Sequence, residues 1–296
     1  MDYYEKQVAL LLQVIPEVEK EKCFALHGGT AINLFVREMP RLSVDIDLTY
    51  IHIENRVTSF GKINSALSRI KSEIENRISN SKVHHQKNFL KLQIANADAQ
   101  IKLEVNQGMR GIIDSIEKRV LCETAQKQFD VFCTMNVVSV GQLYGGKICA
   151  ALDRQHPRDL FDVKVLLDIE GLTQEIKQGF LYALLSSKRP LNEMLFPNFI
   201  DQNQAFVNQF KGMTSEPFSY EDFETTRMKL KELIHQNLTT EDKAFFLSFE
   251  NTEPNWDTYD FKSYPSVQWK LQNLIKLKRE NPEKHLKGVS FLKDKL

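Results

Sequence analysis

The sequence has no surplus of charge: 39 Lys and Arg face 39 Asp and Glu over 296 residues, so net charge alone recruits neither nucleic acid nor an acidic partner. It has little cysteine. Cys23, Cys122, Cys133 and Cys149 are scattered without a C-x-x-C pair, which excludes an evident zinc site or redox pair and predicts reduced core residues. No apolar run approaches the roughly 20 residues that span a bilayer, so no membrane partner is expected. The amino end, MDYYEKQ, lacks a basic region followed by an apolar core; no secretory signal is expected, and the predicted location is the cytoplasm. Internal repeats and low-complexity tracts are absent. What remains, 42% hydrophobic and 26% charged, is an ordinary globular composition with room for two domains.

Hydrophobic periodicity divides the chain near residue 140. Before it, helix and strand signals alternate. Residues 5–15 predict a helix stopping at Pro16, and Cys23–Leu26 is a short apolar run. Thr30 stands as the N-cap of a helix over AINLFVRE, which Pro40 ends. Ser43–Ile51 alternates as a strand does, and residues 60–78 are an amphipathic helix. Phe89–Ile94 and Ile101–Val105 form a hairpin, and Phe129–Val140 is strand-rich. His84-His85 has no partner at metal-ligand spacing and is expected in a loop. After residue 140 the pattern is helical over 141–153, 158–169, 172–187, 202–211, 220–237, 240–249 and 266–279, with connectors at 188–198 and 250–265. The expected class is α+β: a mixed-sheet domain over 1–140 with flanking helices, then an all-helical domain over 141–296.

Inside the predicted strand, Asp45 and Asp47 share one face while Val44, Ile46 and Leu48 point the other way. Two carboxylates that close repel unless something positive lies between them. A divalent cation such as Mg²⁺ (or Mn²⁺) meets that need, taking hard oxygen ligands and gripping phosphates. Glu104 projects from the hairpin strand with Lys102, and completes a three-carboxylate site if that strand pairs nearby. Such a site suits displacement at phosphorus. D-x-D alone is equally the solvent face of an edge strand. Upstream, however, Gly28-Gly29-Thr30 lies between a strand and a helix, where backbone amides can approach a phosphate. Together the two signals become specific.

The order G-G-T-A, a helix, then R-L-S-x-D-I-D-L resembles the first motif of the polymerase-beta-type nucleotidyltransferases, and in particular the AbiEii toxin family. Fifteen residues separate Gly29 from Asp45, slightly more than is usual there, with the excess assigned to the Glu38–Leu42 loop. A second stretch, Leu143–Lys147, Ala150–Arg154 and Pro157–Asp162, is similar to that family's K-x-x-A-x-x-x-R…RD-x-x-D pattern, and Leu238–Leu247 resembles a late segment. The resemblance implies that Asp45 and Asp47 hold metal, with Glu104 the candidate third ligand. It implies Gly28, Gly29, Thr30 and Lys147 as NTP-phosphate contacts, Arg154 or Arg158 as further ones, and Asp159 in the active site, with Asp162 nearby. The implied activity transfers a nucleotide from an NTP to an acceptor, RNA and in particular the tRNA 3′ end, with pyrophosphate leaving. The implied biology is the toxin of an abortive-infection (phage-defence) pair, with an antitoxin as partner.

Other readings stay open at this level: transfer onto a protein, a nucleotide-binding regulatory module without turnover, or a metal-dependent phosphohydrolase. Trp256 and Trp269, with Tyr259, Phe261 and Tyr264, could stack bases or fill a helical core. Seven Lys/Arg against three acids in residues 271–296 could touch RNA phosphates or merely solvate a terminal helix and tail.

Overall fold

The computed structural model describes residues 3–296. The chain forms two compact units. One runs to Leu143 and takes in Phe210–Pro217; the other comprises Tyr144–Gln209 and Phe218–Leu296.

The first unit is a sheet of seven strands carried on helices. Its elements are α1 (Tyr3–Glu19), β1 (Phe24–His27), α2 (Gly28–Thr30), which runs on as a π-helical turn over Ala31–Val36, β2 (Asp45–Tyr50) and α3 (Arg56–Arg77). Then come β3 (Lys82–Gln86), β4 (Lys91–Ala95), β5 (Gln100–Val105), β6 (Glu117–Val120), α4 (Glu123–Phe129) and β7 (Thr134–Val137). The strand order is β3-β4-β5-β2-β1-β7-β6. Two pairings, β2 with β5 and β1 with β7, are parallel; the rest are antiparallel. The expected hairpin is β4–β5. One face of the central strands, with Ile46, Leu48, Leu92 and Leu103, is buried.

Several expectations are corrected here. α1 passes through Pro16 to Glu19, because its apolar stripe (Val8, Leu11, Ile15, Val18) is wholly buried and packing outweighs the lost amide. Thr30 is not an N-cap: His27 is, and the helix opens three residues earlier at Gly28. His84-His85 is not a loop but lies in edge strand β3, where His85 Nε2 lies 3.0 Å from Asn64 Oδ1 of α3. β6 and α4 also go unseen in the periodicity, being short and polar.

The helical unit holds most of α5 (Val140–Asp153) and all of α6 (Pro157–Ile169), α7 (Gln174–Ser186), α8 (Leu191–Leu195), α9 (Asn203–Gln209), α10 (Tyr220–Asn237), α11 (Thr240–Glu250), α12 (Pro265–Glu280) and α13 (Pro282–Lys295). The connector expected over 188–198 contains α8, and the expected tail is α13, whose Val289 and Leu292 are buried. At Gly145 of α5 an added Cβ would stand 2.1 Å from the Gly179 carbonyl carbon and 2.2 Å from Phe180 N, so α5 and α7 cross in backbone contact. The Leu238–Leu247 segment is a capped helix start. Thr239 and Asp242 form a reciprocal capping box, and Asp242 also takes Lys177 Nζ at 2.5 Å and the Tyr259 hydroxyl. Trp256 packs edge-on to Phe245 and Phe249, a core role, whereas Trp269 is exposed.

Candidate active site

The sheet unit gathers one set of predicted residues. In register across four strands lie His27, Asp47, Glu104 and Lys91. The neighbouring row holds Asp45, Lys102 and Gln93. Residues paired in register share a face, so Asp45, Asp47 and Glu104 stand together as the strand pattern required. Lysines temper their repulsion: Lys91 bonds Glu104, and Lys102 Nζ lies 3.5 Å from Asp45 Oδ1. These carboxylates are half-exposed. Among the described residues no three His, Cys, Asp or Glu side chains are grouped closely enough to hold an ion by themselves.

The glycine turn is built against this row. Gly28 has φ +74°, a left-handed conformation that favours glycine, and an added Cβ would stand 2.4 Å from Asp47 Oδ2. At Gly29 an added Cβ would meet Arg41 Nη2 at 2.8 Å and Ser43 Oγ at 2.9 Å. Thr30 Oγ1 donates to the Asp45 carbonyl and lies 3.1 Å from Ser43 Oγ, and Asn33 Nδ2 donates to the Gly29 carbonyl at 2.9 Å. Thr30 therefore ties the turn to β2, so its side chain is committed to the protein. The loop expected to carry the extra residues is fixed from far along the chain: Leu42 N donates to Met213 O at 2.7 Å, and Thr214 Oγ1 to Pro40 O at 2.8 Å.

The second set is a buried ion cluster in the helical unit. Lys147 Nζ of α5 sits 2.9 Å from Asp159 Oδ1 and 3.0 Å from Asp162 Oδ2, both on α6. Arg154 grips Asp159 with Nε at 2.5 Å from Oδ2 and Nη2 at 3.0 Å from Oδ1. Lys147, Asp159 and Asp162 are buried; Arg154 is exposed. Burial would raise the Asp159 pKa, but Lys147 and Arg154 overcome it and hold the carboxyl well below the usual range. Pro157 opens α6 at its first turn, with His156 Nδ1 accepting from the Arg158 amide at 3.2 Å. Arg158 is half-buried. Asp162 is thus a full partner of Lys147, equal in distance to Asp159.

Lys91 and Arg41 escaped the sequence reading, and Lys102 was placed beside Glu104 but not beside Asp45. Lys91 and Lys102 belong to the acid row through strand register, which no local spacing reveals. Arg41, 3% exposed, donates through Nη1 to its neighbour's carbonyl at 2.9 Å and lies against Gly29. Its signal was a lone cation four residues before Asp45.

The profile of the AbiEii family, described as nucleotidyl transferase toxins of type IV toxin–antitoxin systems, matches residues 9–273. No curated protein matches. Six chains of solved structure match. Among them is the nucleotidyltransferase toxin MenT4 of Mycobacterium tuberculosis H37Rv, 13% identical, with a TM-score of 0.62 over 90% of this chain and 92% of that one. At that identity the likeness is one of fold. The family profile covers most of the sequence, and the chain belongs to the AbiEii nucleotidyltransferase toxin family.

Proposed function

Starting from that membership, which implies an NTP substrate and an antitoxin partner, we propose that this chain is a divalent-metal-dependent enzyme of the cytoplasm that transfers a nucleotide from an NTP to RNA, the tRNA 3′ end being the acceptor to test first. The observation that carries the reading is the pairing of Asp45 and Asp47 on one sheet face, with Gly28 leaving Asp47 Oδ2 clear of a side chain. These residues fit Mg²⁺ or Mn²⁺. Two carboxylates suffice where substrate phosphates complete the coordination, and Glu104 stands in register with Asp47 as the third candidate. Bound there, the cation would neutralise phosphate charge and act as a Lewis acid.

The chain's own contribution is positioning. The Gly28-Gly29 turn presents backbone amides to the phosphates of the nucleotide, while Thr30 and Asn33 hold that turn in shape. Attack of an acceptor hydroxyl on the α-phosphorus then expels pyrophosphate, favoured by alignment more than by covalent chemistry. Lys147 and Asp159 are assigned to the activity on the second motif, Arg154 and Arg158 to phosphate contact. RNA as acceptor is supported by α12 and α13, on which Lys276, Lys278, Arg279, Lys284, Lys287, Lys293 and Lys295 are all exposed.

The test incubates the protein with each labelled NTP, Mg²⁺ and total tRNA. Label on RNA with wild type, and none with Asp47→Ala, is the expected result. Label on protein would move the acceptor. Tight nucleotide binding with no labelled acceptor would leave a regulatory module, and free phosphate without acceptor a phosphohydrolase.

A further inference from the structure

The opposite face of the sheet carries a second cationic feature. β2 ends at Tyr50, whose side chain alternates away from Asp45 and Asp47, and the Tyr50 carbonyl accepts from Gly111 N at 2.8 Å. That bond brings Arg110 to this end of the strand. Arg110 is 5% exposed, and its Nε and Nη1 are closed off from water with no hydrogen-bond partner. Its guanidinium carbon lies 5.8 Å from the centre of the Phe60 ring, while that of Arg56 lies 4.2 Å from the same ring. Burial first, and then the Arg56 charge, lower the Arg110 pKa.

The obvious counter-ion is already used. Glu54 accepts from the Tyr50 hydroxyl at 2.9 Å and pairs with Lys62. Among the described residues neither Arg56 nor Arg110 has an ion pair with an acid. Arg56 is also the first residue of the 22-residue helix α3, whose N-cap Asn55 engages only the Thr58 amide with its side chain, so first-turn amides add positive potential here. The buried Arg110 guanidinium without an acceptor is costly, and the exposed Arg56 charge on the same ring repels it.

We infer that Arg110, Arg56 and the first turn of α3 form a phosphate-binding site, behind the sheet and separate from the Asp45–Asp47 face. A tetrahedral oxyanion supplies the several acceptors that Arg110 lacks, and the guanidinium fork is shaped to take two of its oxygens. Exposed Arg56 swings off Phe60 to admit it, changing from a cover on the ring to a ligand. The phosphate is either a free inorganic anion or one link of a nucleic-acid backbone. The site stands whether or not the acceptor proposed above is RNA.

The test measures binding of inorganic phosphate, and separately of a short single-stranded RNA, to full-length wild type and to Arg56→Gln, Arg110→Met and Asp47→Asn. Phosphate should raise the melting temperature of wild type and of Asp47→Asn, with Kd weakened roughly tenfold in each arginine variant, as expected for loss of one charge-assisted contact. Because Arg56 is exposed, Arg56→Gln keeps its fold and stands if Arg110→Met does not. RNA affinity weakened by the same factor in Arg56→Gln assigns the phosphate to a nucleic-acid backbone; a response to inorganic phosphate alone assigns it to a free anion. The inference is overturned if wild type does not respond to phosphate, or if Arg56→Gln and wild type bind it equally. Loss of phosphate binding in Asp47→Asn alone also overturns it, placing the anion on the other face.

Discussion

The two units each group carboxylates with cations, and they do so in opposite ways. In the sheet unit Asp45, Asp47 and Glu104 are half-exposed, and Lys91 and Lys102 reach them from the side. In the helical unit Asp159 and Asp162 are buried around Lys147, and Arg154 pairs with Asp159 from the exposed side. An open row can exchange its lysines for a stronger cation, because water screens those pairs and each is worth little. A closed cluster cannot give up a member without stranding a buried charge. The first arrangement suits taking up a ligand; the second holds Lys147 and Asp159 in fixed positions, the rigidity that their proposed part in the activity needs.

Substitutions should separate these roles, beginning with the largest effect. Asp47→Ala should lower nucleotidyl transfer by about 10³-fold or more, the rate equivalent of several kcal/mol of lost charge stabilisation. Its urea midpoint should stay close to wild type, since the residue is half-exposed. Lys147→Ala should instead cost roughly 3–5 kcal/mol in urea unfolding, because the buried Asp159 and Asp162 would both lose the cation they share. Equal stability loss in the two variants would erase the distinction drawn here. Gly28→Ala should fall between them, destabilising by about 1–2 kcal/mol through the positive φ while crowding Asp47, so that activity drops more than the melting temperature suggests.

Acid titration offers a subtler probe. The Asp159 pKa is depressed in the folded chain, so its stabilisation is fully present above the ordinary carboxylate pKa and is lost as pH falls below it. The stability gap between wild type and Asp159→Asn should therefore be constant near neutrality and narrow below about pH 4, where the unfolded carboxyl begins to protonate. A second titration is expected at Lys270, buried in α12 and donating to the carbonyls of Leu184 and Arg189 at 3.0 and 2.7 Å. Burial lowers its pKa from 10.5 to about 8. Between those values the unfolded chain holds a proton that the folded chain has released, so raising pH through that window favours folding. Wild type should gain stability relative to Lys270→Met between pH 8 and 10, measured by urea midpoints at each pH.

What was legible in the sequence follows from the range of each interaction. The aspartate strand and the hairpin declare themselves because one face is buried and the other is not, which writes period two into residues 45–50 and 100–105. β3 and β6, reading KVHHQ and EKRV, lie at the sheet edges, where burial is shallow and the alternation faint. Thr30 looked like a cap because hydroxyls usually are caps there; its oxygen instead serves β2, fifteen residues on. The neighbours of Asp45 and Glu104 depend on strand register, and the three-body contact at Lys147 depends on α5 and α6 closing on each other. Neither leaves a trace in local spacing, so the residue types could be flagged and their partners could not.

The bonds from Met213 and Thr214 to Leu42 and Pro40 carry a consequence for anyone who cuts the molecule. The loop leading into the aspartate strand is pinned by a segment the ribosome makes some 170 residues later. A fragment ending at Leu143 would hold every acid of the row and still lack the clasp that sets the approach to them. The amino-terminal unit is thus finished only after much of the helical chain has been synthesised, and chimeras joined at the apparent boundary would inherit an unfastened loop before the aspartate strand.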